Sequence, residues 1–391
     1  MFAVFTFVRK AFSMGFLLVL GLFLAACETG GISSGGPSID TSKPIPVALL
    51  VPKGSGQSGD AILAQSLENA ALLAISDLQG INIDLRVYDT AGSADTAAAV
   101  ATQAVGEGAK IILGPVYAEA ANAVGKAVRG KNINVLAFSN NPAIAGGNVF
   151  ILGPTFANTA NQLTRYAAAQ GKANIVVVHG NDAAGVAGQS AIQSAINSSP
   201  AKLGGAVSYD LSQQGVIDAV PLVRDTVASA GADAIFLTAT TAGALPLFSQ
   251  LLPESGVSRE TVQYIGLTRW DIPPQTLELP GVQGGWFALP DPSASQQFSS
   301  RYGAAYGGVP HPIGGLAYDG IAAIGALVGA GRADALSGAA LTQGAGFQGV
   351  SGIFRLRSDG TNERGLAVAT IQNNQVVVID PAPRSFSGGG S

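Results

Sequence analysis

Val47-Ala48-Leu49-Leu50-Val51 is a run of five apolar residues without alternation, and the loop residues Pro52-Lys-Gly-Ser-Gly56 follow it. A strand with one wet face alternates apolar and polar residues. A short continuous run means burial on both faces, as in a parallel strand covered by helices on either side. The chain downstream fits that reading. From Ala61 to Leu78, helical spacing places Ile62, Leu63, Leu67, Ala70, Ala71 and Ala74 on one side. Asp84-Leu-Arg-Val-Tyr88 reads as the next strand, and Ser93 caps a helix of alanines running to Val105. Lys110-Ile-Ile-Leu-Gly114 and Asn134-Val-Leu-Ala-Phe138 read as strands, with a helix from Ala118 to Val128 between them. Strand and helix in alternation with short loops predict right-handed βαβ units, hence an α/β fold built on a parallel sheet.

The pattern restarts at Asn174-Ile-Val-Val-Val178, after a helix from about Thr159 to Gln170. It continues through Gly205-Ala-Val-Ser-Tyr209, Ala234-Ile-Phe-Leu-Thr238 and Gln263-Tyr-Ile-Gly266, and Asp319 to Val328 reads as a later helix. Ser351 to Leu356, Leu366 to Ile371 and Val376 to Ile379 read as antiparallel strands around the turn Ser358-Asp-Gly360. The length exceeds the roughly 250–300 residues that one hydrophobic core holds, so two lobes are expected.

The N-terminus carries a different pattern. Arg9 and Lys10 precede an apolar run from Ala11 to Ala26, and Leu24-Ala25-Ala26 stand directly before Cys27, the only cysteine. A basic start, an apolar stretch and small residues before a cut make a secretory leader. The run is short of the ~20 apolar residues of a membrane span. Leu24 to Cys27 resembles the lipobox of bacterial lipoproteins. That resemblance implies that residues 1–26 are a signal peptide, that Cys27 carries the lipid and that the chain faces the periplasm. Glu28 stands where an aspartate would retain such a protein at the inner membrane, so the outer membrane is expected. Residues 27–43, rich in Gly and Ser, read as a flexible tether, and residues 382–391 as a flexible tail.

Composition excludes several classes. The chain has 21 basic and 25 acidic residues, net −4, and no run of lysines or arginines. Nucleic acid, which needs a basic stripe, is therefore not an expected partner. With its one thiol lipidated, the chain is expected to be a monomer without disulfides. His179 and His311 have no Cys, His or Glu at metal-ligand spacing. No Gly-x-Ser-x-Gly elbow is present. Gly344-Ala-Gly-Phe-Gln-Gly349 has the letters of a dinucleotide fingerprint but does not open a helix. An enzyme, a cofactor and a metal are not expected.

Ile111-Ile-Leu-Gly-Pro115, Asn134-Val-Leu-Ala-Phe-Ser139, Gly231-Ala-Asp-Ala-Ile-Phe-Leu237 and Ala317-Tyr-Asp-Gly320 together resemble the type I periplasmic binding proteins, the leucine-binding-protein-like family. The resemblance runs from about Ile45 to Asp380. Within it, Arg86-Val-Tyr-Asp-Thr90, Gly147-Asn-Val-Phe150, Thr268-Arg-Trp270, Gly285-Trp-Phe287 and Gly352-Ile-Phe-Arg-Leu356 are similar to the lipoprotein branch that activates penicillin-binding proteins. The additional helical N-terminal domain of the best-known activators has no counterpart here. The resemblance implies two lobes joined by three crossings, placed near Pro154, Asp291 and Phe347. One lobe then comprises 44–154 with 291–346, and the other 155–290 with 347–381. It also implies a non-enzymatic protein with a ligand cleft between the lobes. The lipobox and the closing strands favour a penicillin-binding protein as partner, with the chain a regulator of peptidoglycan synthesis; the alternative is an ABC permease, with the chain a receptor for amino acids or similar small polar solutes.

Residues at strand ends are the candidates for the cleft. Tyr117 ends the loop Gly114-Pro-Val-Tyr117, which enters a helix whose free N–H groups could hold a carboxylate. Ser139 and Asn141 leave the next strand with hydroxyl and amide groups, and Thr240 stands past a strand end of the second lobe. Thr268, Arg269 and Trp270 follow another strand. In amino-acid receptors of this fold, an acid near that place pairs with the ligand's ammonium. Arg269 there favours an anionic or zwitterionic ligand, while Asp271 either supplies the acid or pairs with Arg269.

The leader generates a direct test. Cys27→Ser should release the protein from the membrane fraction, because stable anchoring needs more than one acyl chain and lipoproteins attach all of theirs through this residue. Fractionation showing unchanged retention would rule out the lipid anchor.

Overall fold

A computed structural model describes residues 35–386. The signal peptide, Cys27 and the first part of the tether lie outside the described residues. Two α/β lobes make up the fold. The first holds β1 (Ile45–Val51), α1 (Asp60–Asp77), β2 (Ile83–Asp89), α2 (Ala94–Gly106), β3 (Ile111–Leu113), α3 (Ala118–Val128), β4 (Val135–Ala137) and β5 (Val149–Ile151). Its five strands are all parallel, in the order β2-β1-β3-β4-β5. In β1, Val47, Leu49 and Val51 enter one apolar core and Ala48 and Leu50 the other. The run that opened the reading is continuous because each side of the strand has its own helical cover.

The second lobe repeats the plan with α4 (Phe156–Ala169), β6 (Asn174–Gly180), α5 (Ala183–Asn197), β7 (Lys202–Tyr209), α6 (Gln213–Ala230), β8 (Ala234–Leu237), α7 (Leu245–Glu254), β9 (Gln263–Gly266) and β10 (Trp286–Leu289). In β6, Val176 and Val178 face one core, and Ile175 and Val177 the other. Next come α8 (Pro292–Tyr306), α9 (Gly315–Gly329), α10 (Gly338–Leu341), β11 (Phe347–Gly349), β12 (Gly352–Leu356), β13 (Asn362–Arg364), β14 (Ala367–Gln372) and β15 (Gln375–Asp380). The second sheet has seven strands, β15-β14-β10-β9-β8-β6-β7, and only β14 runs against the rest, pairing antiparallel with both β10 and β15.

The C-terminal strands do not form the single antiparallel set expected from sequence. β11, β12 and β13 make a separate three-stranded sheet. Phe347, Val350, Phe354 and Leu356 pack into the first lobe's core, beside residues of α1 and α9. Only β14 and β15 join the second lobe. The third crossing therefore falls at Gly365–Leu366 rather than at Phe347, and 347–364 belong with the first lobe. The first two passages run through Leu152–Thr155, between β5 and α4, and Pro290–Asp291, between β10 and α8.

Both expected loose ends are partly fixed. The Ile39 amide donates to the Ala333 carbonyl at 2.9 Å, and Ile39 is buried in the first core. A Cβ on Gly36 would lie 2.5 Å from Ser337 Cα, so the close approach needs glycine. At the other end Ala382 packs on the second core, and the Arg355 guanidinium sits 4.6 Å above the Phe386 ring.

The crossings are held by a buried polar network. One Arg364 nitrogen donates to the Asp319 carboxylate at 3.1 Å, and another to the Leu152 carbonyl at 2.6 Å. Asp319 also accepts from the Val350 amide at 2.8 Å. Both side chains of the ion pair are almost wholly buried. Burial pushes the Asp319 carboxyl up, against the pull of Arg364 and of the Val350 amide. Arg364→Ala should cost about 3–5 kcal/mol, because it strands a buried carboxylate. The pair Asp319→Leu with Arg364→Met should recover most of that loss in urea unfolding. Additive losses in the double variant would show that the pair is not coupled.

Candidate functional site

The carboxyl ends of the second lobe's parallel strands surround a cavity of about 590 Å³. Asp182 follows β6, Tyr209 ends β7, Thr238 follows β8, and Leu267 and Thr268 follow β9. β6 lies between β7 and β8, so chain connections leave it in opposite directions. This is the switch point at which open α/β sheets bind ligands. The remaining wall is mostly apolar, with Phe156, Leu211, Val216 and Leu247.

The polar groups are placed by helix starts. Asp182 caps α5, accepting from the Gly185 amide at 3.2 Å, and Ser212 caps α6, accepting from the Gly215 amide at 3.0 Å. Thr238 accepts from the Gly180 amide at 3.2 Å. Burial, with the Asp182 charge adding to it, pushes the Tyr209 phenol up to about 12, so it stays a neutral donor. Among the described residues, Asp182 is the one formal charge in the wall, and no lysine, arginine or histidine lines it.

Of the residues expected from sequence, Thr240 and Thr268 line this cavity. Thr240 is exposed, and the Thr268 hydroxyl donates to the Ala239 carbonyl at 3.4 Å. Arg269 does not line it. Its guanidinium is engaged by both oxygens of Asp271, so its charge is answered inside the protein. Trp270 is fully buried in the second core. A Cβ on Gly266 would stand 2.2 Å from its Nε1 and one on Gly285 2.2 Å from its Cζ3. Two glycines on the same face of the sheet thus leave the room the indole fills, one under each of its rings, and Trp270 is a packing residue instead of a cleft residue.

The other three candidates belong to the first lobe, at the ends of β3 and β4. Gly114 has φ of 92°, and a Cβ there would lie 2.3 Å from the Leu50 carbonyl oxygen, so only glycine makes this turn. Tyr117 precedes α3 and donates its hydroxyl to Asp60 at 2.6 Å. Burial and that hydrogen bond push the phenol up to about 12. Asp60 also accepts from the Ser55 hydroxyl at 2.5 Å. Ser139 is buried and accepts from the Asn141 amide, while Asn141 is exposed and caps a short turn through the Ala143 amide at 3.0 Å. Tyr117 sits at the first sheet's own switch point, between β1 and β3, with Ser139 and Asn141 one strand further on, after β4, and each makes a local hydrogen bond.

Asp182, Tyr209, Phe156 and Leu247 escaped the sequence reading. Asp182 and Ser212 stand as caps shortly after strand ends, which is a legible pattern. Phe156 and Leu247 belong to helix starts whose aim is set only by the tertiary fold.

The chain belongs to the periplasmic binding protein family, whose profile matches residues 44–375. The fold is that of the type I, leucine-binding-protein-like members. A structure from Rhodospirillum rubrum, assigned to a branched-chain amino acid ABC transporter, superposes with a TM-score of 0.72 at 18% identity, covering 86% of this chain and 100% of that one. An ABC transporter substrate-binding protein from Desulfitobacterium hafniense, in complex with Leu, gives a TM-score of 0.60 at 19% identity, covering 86% and 100%. A solute-binding protein of an ABC transporter from R. palustris, in complex with benzoate, gives 0.54 at 17% identity, covering 89% and 98%. Among curated proteins, the uncharacterized protein RP748 of Rickettsia prowazekii is 26% identical over 124 residues, and the match spans 32% of each chain.

The corrected role of Trp270 is testable. Trp270→Ala should lower stability by about 3–5 kcal/mol, the cost of emptying a large aromatic site in a core. A change under about 1 kcal/mol in urea unfolding would place the indole outside the core.

Proposed function

We propose that the protein is a solute receptor of the type I fold that hands its ligand to an ABC permease. The cavity at the second lobe's switch point carries the reading. Its volume falls in the ~300–1,000 Å³ range of small-molecule sites, and apolar walls with a few hydroxyls match their usual lining. With Asp182 in the wall and Arg269 held by Asp271, a purely anionic ligand would meet repulsion without a countercharge. The ligand is a small molecule with an apolar body and an amino group, which includes zwitterionic amino acids; leucine in the Desulfitobacterium relative has that form. The periplasm is the working compartment, and a lipid on Cys27 holds the protein at the outer membrane.

One observation favours the second reading, activation of a penicillin-binding protein. Tyr117, Ser139 and Asn141, the first-lobe groups placed to hold an amino acid, are engaged within the protein. A domain that only docks a synthase keeps such groups closed.

A melting screen separates the two. A ligand at about 100 times its dissociation constant stabilises the fold by about 2.7 kcal/mol. Leucine or a related amine-bearing solute should raise the melting temperature, and benzoate should not. Asp182→Asn keeps a good cap and should abolish the shift while leaving the unliganded melt nearly unchanged. Benzoate as the one effective solute would refute the charge assignment. A flat screen, together with retention of a cell-wall synthase on the immobilised protein, would establish the activator reading instead.

A further inference from the structure

The strand β15, Gln375-Val-Val-Val-Ile-Asp380, closes one edge of the second lobe's sheet. Val376, Val377 and Val378 are 36%, 36% and 41% exposed, unusual for three consecutive valines in a strand. The described residues beyond β15, 381–386, do not cover them. Ala382 packs on the second core, Pro383 lies against Gly365, and Phe386 reaches Gly346. Other sheet edges are protected. β2 carries Asp84, Arg86 and Asp89, and β7 begins with Lys202. β5 is tied by backbone bonds to Gly146 and Gly360. From Gln375 to Ile379, β15 has neither a charge nor a proline, the usual devices against edge-to-edge pairing.

The pairing geometry fixes which backbone groups are free. β14 and β15 join through Asn373 and Asn374, with φ of 50° and 61°, the two-residue turn of a tight hairpin. Gln372 and Gln375 then form the first hydrogen-bonded pair, and such pairs alternate with non-bonded ones. Thr370–Val377 is the next bonded pair, so Val376 and Val378 turn their N–H and C=O groups outward.

We propose that β15 pairs antiparallel with β15 of a second copy of this chain, about a two-fold axis at Val377. The occupant follows from the strand's own sequence. In that register Val376 meets Val378 of the other copy in hydrogen-bonded pairs, Val377 meets Val377, Gln375 meets Ile379, and Asn374 meets Asp380. No like charges oppose one another, and the outward groups of Val376 and Val378 are satisfied in both copies. Placing the axis at Val378 instead would set each Asp380 against a valine. Val376 and Val378 share the face of Ile371 and Ala369, both members of the second core, and Val377 shares that of Thr370. A second β15 continues both layers and joins two seven-stranded sheets into one. The interface is isologous and small, so the association is concentration-dependent. It departs from the monomer expected on cysteine content.

The register is the test. In the full-length chain, Val377→Cys should give a covalent dimer on mild oxidation, because a non-bonded pair lies at about 4.5 Å between Cα atoms, within disulfide reach. Val376→Cys alone, two residues out of register, should give little, and mixing it with Val378→Cys should restore the product. The parent chain, with Cys27 alone, is the control. By sedimentation the parent should dimerise. Val378→Pro removes only an outward N–H and should raise the dimer dissociation constant roughly tenfold or more, as each copy loses one interchain bond. Val377→Lys should do the same if the proline variant folds poorly. Absence of a Val377→Cys dimer, equal crosslinking by all three single cysteines, or unchanged association in both disrupting variants would overturn the proposal.

Discussion

The two lobes depend on the hydrogen bonds that Arg364 makes where the chain passes between them. Its guanidinium holds the Leu152 carbonyl of the first crossing and the Asp319 carboxylate of α9. Two residues earlier, the Asn362 amide donates to the Ile151 and Gly153 carbonyls, and the Asn362 carbonyl accepts from Asn158 of α4. The second crossing joins the same device, since the Asp291 amide donates to the Ser351 carbonyl in the β11–β12 turn. The small antiparallel sheet is thus a clasp gripping all three passages. An apolar clasp of equal volume could be as stable. What the planar fork adds is direction, because it accepts partners only in its own plane.

The same trade of charge for geometry recurs beside the cavity. Arg269 and Asp271 answer each other two residues apart, and between them the chain sends Trp270 into the core. The two charges remain at the surface side, partly exposed, while the indole between them is enclosed. The local structure is decided by the tryptophan, whose burial needs glycine at both 266 and 285. The arginine is left as a solvated partner for its neighbour and does not reach a ligand.

Sequence legibility followed the physics of each segment. β1, β6 and β8 were readable because burial on both faces forces an uninterrupted apolar run. The helix after β2 was readable because Ser93 must answer free backbone amides, and Asp182 caps α5 by the same rule but went unread. β11 and β13 are three residues each, and Phe347-Gln-Gly349 and Asn362-Glu-Arg364 lack the apolar run that marks the equally short β3 and β4. The docking of Gly35 to Lys43 was illegible for a subtler reason. Glycine there marks close approach to Ser337, and composition alone gives the same letters to a flexible linker. Trp270 misled because a tryptophan near a strand end suits a ligand wall and a core equally. Only Gly266 and Gly285, brought together under the indole by β9 and the approach to β10, distinguish the two.

The lobes are unequal as ligand surfaces, and that inequality bears on closure. A ligand shifts a two-state equilibrium only by its difference in affinity for the two states. Contacts confined to the second lobe are present whether the lobes are apart or together, so they supply affinity without driving closure. Any preference for the closed form must come from groups of the first lobe. Tyr117 is held by Asp60 and Ser139 is paired with the Asn141 amide. Recruiting the Tyr117 hydroxyl as a donor requires exchanging its bond to Asp60 for one to the ligand, a nearly balanced trade, whereas Ser139 accepts from that amide and keeps its O–H for another partner. On the receptor reading proposed above, closure therefore turns on how well the ligand replaces Asp60 as the acceptor for Tyr117.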